Sequence, residues 1–269
     1  MTNPESISWA AASHSGSRKE TNDDSWIVFS SNPEGLQRLA ETGEASIAVQ
    51  DLVFAISDGM GGGNAGDLAS ALILERMATI IPETFKAAAS GFFPDSITLL
   101  QDALKDVHEH INSVGGKTDN RRGMAATLAL AWFTPENLYL ANAGDSRIYR
   151  CRDGETEQLS KDHTIAWGQM KRGEISEIEY RTHPRRAALY EVIGGGHQMI
   201  NPHFAAVPYR SGDSFLVCSD GLIDGLWDQQ IGSALSSAGS PEKCCEKLLS
   251  RALENSGLDD TTLIVIHTG

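Results

Sequence analysis

The sequence predicts an α+β fold built on antiparallel sheet, and three observations carry that prediction. Short apolar runs bounded by turn residues recur along the chain, several of them separated by connections of hairpin length. The helical periodicities are few and interrupt this series instead of alternating with it, which argues against a doubly wound parallel sheet. No Pro/Gly/Ser tract divides the 269 residues and no solenoid repeat is present, so residues 1–269 read as a single domain.

In chain order, strands are expected at Ser6–Ala11, Ser25–Phe29, Asp51–Ser57, Thr127–Phe133, Asn137–Ala141, Ser146–Arg150, Ser214–Ser219 and Thr262–His267. The stretches from Trp132 to Leu138 and from Tyr149 to Gly154 have the turn chemistry of antiparallel hairpins. Between Ile97 and Ile111 the apolar residues Ile97, Leu100, Leu104, Val107 and Ile111 recur at steps of three and four, one face of an amphipathic helix. A second helix is expected over about residues 65–80, with Leu68, Leu72, Ile73 and Ile80 facing the core. A third opens at Ser240-Pro241, a cap residue followed by proline in the first turn, and carries Leu248, Leu249, Ala252 and Leu253.

The 22 Lys and Arg against 36 Asp and Glu leave a net charge of −14, which repels phosphate backbones and anionic lipid headgroups. No nucleic-acid or membrane partner is therefore expected. The four cysteines form no CxxC pair, and Cys244 and Cys245 are adjacent, so no disulfide framework is expected. With no signal-peptide pattern at the N-terminus and no apolar run of membrane-spanning length, the reading is a cytoplasmic protein. On a helix, Cys244 and Cys245 are expected to place one thiol inside and one outside.

Acids mark four strand ends. Two strands stop at Ser-Asp-Gly, at Ser57-Asp58-Gly59 and Ser219-Asp220-Gly221, and two begin just after an Asp-Asp pair, Asp23-Asp24 and Asp259-Asp260. In an antiparallel sheet the end of one strand lies beside the start of its neighbour, so all four can meet on one edge. So many carboxylates together repel one another unless a cation offsets them. Oxygen donors without a His or Cys cluster at zinc spacing point to a hard ion, Mg²⁺ or Mn²⁺, and the number of acids suits two ions. Gly61 to Gly66 also fits G-x-G-x-x-G, but Asp58 would face the pyrophosphate, and about 20 residues further on the chain is helical where a second strand ending in an acid is required, which argues against a dinucleotide site.

Taken together, the motifs resemble those of the metal-dependent protein phosphatases, the type 2C or PPM family, in their compact bacterial form. The ordered matches are Asn22-Asp23-Asp24-Ser25, Asp58-Gly59-Met60-Gly61-Gly62 with Gly66, Gly123-Met124-Ala125-Ala126-Thr127, Ala143-Gly144-Asp145-Ser146-Arg147, Asp162-His163, Ser219-Asp220-Gly221-Leu222 and Asp259-Asp260-Thr261-Thr262. The resemblance implies a sandwich of two antiparallel sheets flanked by helices on both sides, αββα, with a two-metal centre at one end. It implies that Asp58 bridges two Mn²⁺ or Mg²⁺ ions, that the Gly59 carbonyl, Asp220 and Asp259 serve the first ion, and that Asp24 serves the second. The implied reaction is hydrolysis of phosphoserine and phosphothreonine monoesters by a metal-bridging water, acting on phosphorylated proteins, a Ser/Thr kinase or its targets. The alternative within the fold is a catalytically silent phosphoprotein-binding pseudophosphatase, against which every core acid is retained.

Three departures shape the expectations. The family's phosphate-gripping Arg falls by ungapped alignment on Lys19, whereas chemistry favours the adjacent Arg18, since only a guanidinium holds two phosphoryl oxygens at once. Gly123 stands where some relatives carry an Asp for a third ion, so two ions are expected. Met60 replaces the His of animal relatives, which leaves no general acid at that place. Asp145 is expected to be a hairpin and network residue, and His163 and His183 to have hydrogen-bonding or surface roles. Residues 164–184 correspond to the family's variable flap, expected to be a mobile, substrate-contacting lid.

Overall fold

The computed structural model describes residues 4–18, 20–32, 34–60, 65–89, 96–237 and 239–269, with the backbone alone at 82–89. The elements follow in the order β1 (Ser6–His14), β2 (Asp24–Asn32), β3 (Gly35–Arg38), β4 (Thr42–Ser46), β5 (Asp51–Met60), α1 (Gly66–Ala89), α2 (Ser96–Gly115), β6 (Ala125–Ala126), β7 (Leu128–Phe133), β8 (Leu138–Ala143), β9 (Arg147–Arg152), β10 (Glu155–Gln158), α3 (Ile165–Lys171), α4 (Glu177–Arg181), β11 (Ile193–Gly194), β12 (His203–Val207), β13 (Ser214–Cys218), α5 (Asp220–Gly225), α6 (Asp228–Leu235), α7 (Pro241–Asn255) and β14 (Thr261–Thr268).

The strands form two antiparallel sheets. One runs β10-β9-β13-β14-β1-β4. The other runs β3-β2-β5-β7-β8-β12, with β6 pairing the end of β5 ahead of β7 and carrying β11. Between the sheets lie Trp9, Phe54, Phe133, Phe215 and Ile266. Their rings meet edge to face, Phe54 and Phe133 at 5.7 Å between centroids, the favoured aromatic geometry. The outer face of the β5 sheet packs Phe29, Val53 and Leu130 against Ile73 and Met77 of α1 and Leu104 of α2. The outer face of the β14 sheet packs Leu216 and Leu263 against Leu222, Ile231 and Leu248 of the C-terminal helices. The layers are therefore helix, sheet, sheet, helix, the αββα sandwich expected.

All eight expected strands form, each within a few residues of its expected bounds. The β7–β8 loop closes with Thr134 N–H on the Asn137 carbonyl at 3.0 Å. Asp153 and Gly154 take positive φ between β9 and β10, the twist a two-residue hairpin requires. On α1 the expected Ile73 is buried with Leu74, Met77, Ala78 and Ile81, and the expected Leu68, Leu72 and Ile80 pack half-buried along the edge of the same core. Pro241 stands at the start of α7 as expected, but the Ser240 side chain makes no capping bond. The expectation that one of Cys244 and Cys245 faces solvent is wrong: both are buried. Helix α7 packs against β1, β14, α5 and α6 at once, so neighbouring positions on it both meet protein. Burial pushes their thiols up to about 11 and about 12, so neither is a ready nucleophile. No described helix is long and apolar enough to cross a membrane.

At the start of β5 the buried Asp51 accepts a hydrogen bond from Trp132 Nε1 at 2.8 Å, yet burial still lifts its carboxyl to about 6. The unfolded chain ionises Asp51 first, so stability from this group is present below its unfolded value near 3.8 and is lost as pH rises past about 6. Asp51→Asn copies the protonated form. Chemical denaturation at pH 4 to 8 should show the variant gaining on the wild type with rising pH, by at most about 3 kcal/mol. A pH-independent difference would contradict this assignment.

Candidate metal centre

The register places the acids. Strands β2 and β5 pair antiparallel with Asp24 opposite Asp58, so the start of one and the end of the other share an edge. In the second sheet Cys218 of β13 lies opposite Leu263 of β14, which brings Asp220, just past β13, and Asp259, just before β14, to the same end. Ser219 joins the two sheets: its Oγ donates to Asp24 Oδ2 at 2.7 Å and accepts from Thr262 N–H at 3.0 Å. The four expected acids therefore converge from four strand ends.

Local backbone geometry explains why each acid is held. Asp58 N–H donates to Thr127 Oγ1 at 3.0 Å, and its carbonyl accepts from Thr127 N–H at 2.9 Å. At Gly59 a Cβ would lie 2.1 Å from the Gly66 carbonyl oxygen and 2.7 Å from that of Asp23, so only glycine fits between them. Asp260 spends its carboxylate on backbone, accepting from Gly16 N–H and Asp23 N–H at 2.8 Å each. That ties the 16–23 segment to the start of β14. Its neighbour Asp259 keeps a side chain about one-third exposed.

The electrostatics are those of an uncompensated acidic cluster. Burial lifts Asp24 to about 6 against the hydrogen bonds from Ser219 and Thr262, with Asp260 and Asp259 adding to the rise. Burial, then Asp24 and Asp220, hold Asp58 well above the carboxylate range. Asp220 is raised likewise by burial, then by Asp145, Asp224, Asp259 and Asp24. Among the described residues, no group of three or more His, Cys, Asp or Glu side chains is already gathered into a cage for an ion. The donor set nevertheless fits a hard divalent cation. It consists of carboxylate oxygens and a glycine carbonyl, and Asp24 Oδ1 is buried without a hydrogen-bond partner.

Arg18 lies at the rim. Its N–H donates to the Leu258 carbonyl at 3.1 Å, and its Nη1 stands 3.9 Å from Asp259 Oδ2 with the side chain 59% exposed. Lys19 lies outside the described residues, as do Gly61 to Asn64 of the glycine-rich loop. Asp145 is buried, and its carboxyl is lifted to about 7 by burial and then Asp162 and lowered by Arg147. His163 accepts from Gly144 N–H through Nδ1 at 3.0 Å, and His183 Nδ1 accepts from Arg185 N–H at 3.1 Å, the hydrogen-bonding roles expected.

Sequence reasoning gave no role to the cluster behind Asp145. Arg147 is buried with Asp162: its Nε reaches both carboxylate oxygens at 2.9 and 3.0 Å, and its Nη2 reaches Oδ2 at 2.6 Å. Nη1 donates to Tyr149 Oη at 2.7 Å, and Nη2 also donates to Tyr180 Oη at 2.9 Å. A signal was present in the period-2 phase. Arg147 shares a strand face with Tyr149 and Cys151, both buried, so the face that holds Arg147 is an inward one.

A family model described as Protein phosphatase 2C matches residues 42–254, most of the chain. Serine/threonine protein phosphatase PstP of Mycobacterium tuberculosis is 32% identical over 222 residues, 82% of this chain and 41% of PstP. The chain therefore spans less than half of that relative. Serine/threonine phosphatase stp of Listeria innocua is 28% identical over 213 residues, 79% of this chain and 82% of stp. The crystal structure of M. tuberculosis PstP/Ppp superposes with a TM-score of 0.79 at 28% identity, covering 98% of this chain and 99% of that one. The PstP catalytic domain solved in complex with two manganese ions gives 0.76 at 28% identity, over 97% and 98%. With its sandwich, its acid-tipped strand ends and a family match across most of its length, the chain belongs to the protein phosphatase 2C family.

Proposed function

We propose that this chain is a Mn²⁺- or Mg²⁺-dependent hydrolase of phosphoserine and phosphothreonine monoesters in proteins. The observation that carries the reading is the convergence of Asp24, Asp58, Asp220 and Asp259 from both sheets at one end of the sandwich, where their carboxylates repel one another. Asp58 would be shared by two ions, the Gly59 carbonyl, Asp220 and Asp259 would serve one, and Asp24 the other. Two divalent cations, when bound, supply a nucleophile at neutral pH and offset the charge on the phosphoryl oxygens. The chain's part is to fix the donors through Thr127, Ser219 and Thr262 and to draw the substrate dianion in with Arg18 at the rim. Met60 offers no proton, so the leaving oxygen takes one from solvent. Substrates are phosphorylated proteins, a Ser/Thr kinase or its targets, in the cytoplasm.

The purified chain should hydrolyse an aryl phosphate and a phosphothreonine peptide with Mn²⁺ and lose both activities to a chelator. Mn²⁺ binding without turnover would instead fit a phosphoprotein-binding pseudophosphatase. Arg18→Ala should lower kcat/KM roughly 10 to 100-fold, about 1.4 to 2.8 kcal/mol, while Lys19→Ala changes little, because only the guanidinium forks onto two oxygens. Identical kinetics for the two variants would show that neither side chain touches the phosphate.

A further inference from the structure

The connection from α2 to β6 brings three cations, Lys117, Arg121 and Arg122, into six residues with Asp119 as the one acid among them. Its backbone is pinned. Lys117 N–H donates to the Val114 carbonyl at 3.2 Å, Arg121 N–H to the Thr118 carbonyl at 3.1 Å, and Met124 N–H to the Arg121 carbonyl at 3.0 Å. Its single turn of 3-10 helix, Asp119–Arg121, lies against the end of α2, where a Cβ at Gly115 would stand 3.1 Å from the Arg121 carbonyl oxygen. Strand β6 runs antiparallel to the end of β5, with Ala126 opposite Gly59 and Ala125 opposite Met60. Stepping back from Ala126 to Arg122 therefore leaves the sheet at the end where β5 delivers Asp58 and Gly59. Four residues of chain span at most about 14 Å, so Arg122 stays within that distance of the strand pair bordering the acidic centre.

The cations of this turn are accessible. Lys117 and Arg122 are exposed and Arg121 is half-buried. Gly123, at φ +76°, has nothing within 4 Å of the place a Cβ would take, so the surface beside them is open. Arg122 Nη2 stands 3.6 Å from Asp119 Oδ1, but the two side chains are 83% and 96% exposed, so the pair is weak and readily exchanged for another carboxylate. Among the described residues Lys117 and Arg121 enter no ion pair. A chain of net charge −14 repels an anionic substrate at long range. Exposed charges act within about 8 to 10 Å at physiological salt, so these cations offset that repulsion only where a bound peptide passes over them. An extended peptide rises about 3.3 Å per residue, so a phosphoresidue held at the acidic centre places residues up to about four positions away over the turn. Resting on the phosphatase reading, we propose that the 117–122 turn is a docking surface for the flank of the substrate protein, and that it selects phosphorylated segments carrying Asp or Glu within about four residues of the phosphoresidue. Its cations meet the carboxylates of the peptide and leave the phosphoryl group to the acidic centre and its rim.

The test uses the full chain at saturating Mn²⁺ with three substrates: a phosphothreonine peptide flanked by Asp, the same peptide flanked by Ala, and an aryl phosphate. The wild type should favour the Asp-flanked peptide about tenfold in kcat/KM, the effect of three exposed ion pairs, and the advantage should shrink in high salt. The triple variant Lys117→Gln, Arg121→Gln, Arg122→Gln should lose that advantage through KM, with the Ala-flanked peptide and the aryl phosphate unchanged. If the triple variant does not fold, the double variant Lys117→Gln, Arg122→Gln, which alters exposed side chains alone, should lose about threefold of the advantage. A wild type without preference for the Asp-flanked peptide, or a variant that keeps the preference, would overturn the proposal. An equal loss on the aryl phosphate would overturn it too, because the cations would then act on the centre and not on the flank. A wild type that hydrolyses none of the three refutes the phosphatase reading alone. Fluorescence anisotropy of the labelled Asp-flanked peptide then reads the turn, by a dissociation constant that rises in the variant if the proposal holds and stays the same if it does not.

Discussion

Asp58→Asn is expected to abolish turnover while leaving the fold intact. Asp58 is the acid shared between both ions in the proposed centre, and an amide oxygen is a poor substitute for a carboxylate there. The backbone bonds that fix residue 58, to Thr127 Oγ1 and from Thr127 N–H, do not involve its side chain. In the wild type, burial and the neighbouring Asp24 and Asp220 disfavour a charge at Asp58, so neutralising it relieves repulsion in the metal-free protein. The variant should melt no lower than the wild type without metal and should lose the rise in melting temperature that Mn²⁺ gives the wild type. More than about a tenth of wild-type kcat, equivalent to about 1.4 kcal/mol of barrier, would remove Asp58 from its shared position.

The largest loss of stability is expected at Arg147. Its side chain is 3% exposed and that of Asp162 is 0%, so truncating the arginine leaves a buried carboxylate with Gln158 and Tyr180 as its remaining side-chain partners among the described residues. Removing one partner of a buried ion pair costs about 3 to 5 kcal/mol, most of it the uncompensated charge left behind. Arg147→Met should therefore lower the urea midpoint by a corresponding amount. Adding Asp162→Asn removes the stranded charge, so the double variant should be less destabilised than the two single losses summed. A loss below about 1 kcal/mol for Arg147→Met would show that solvent reaches the pair.

What the sequence revealed followed apolar signal. Strands such as Asp51–Met60 and Thr261–Thr268 are buried along almost their whole length and announce themselves as apolar runs. The polar edge strands Thr42–Ser46 and Glu155–Gln158 alternate exposed and half-buried positions without an apolar stripe, and they left no comparable trace. The four acids were legible because strand-end geometry is local: an Asp after an apolar run is at an end whichever sheet it joins. Ser219, which ties Asp24 to Thr262 across the two sheets, was not, because its partners lie 195 and 43 residues away. The same holds for the buried pair of Arg147 and Asp162, 15 residues apart. A charge pattern in the sequence cannot name a partner that only tertiary packing supplies.

The central claim is that the acid-tipped strand ends hold two divalent cations around Asp58. Isothermal titration of the metal-free chain with Mn²⁺ tests it most directly, read as ions bound per chain for the wild type and Asp58→Asn. The account predicts two ions per wild-type chain and loss of both sites in the variant, because the shared ligand serves each. A wild type that binds one ion or none, or a variant that still binds two, would contradict it.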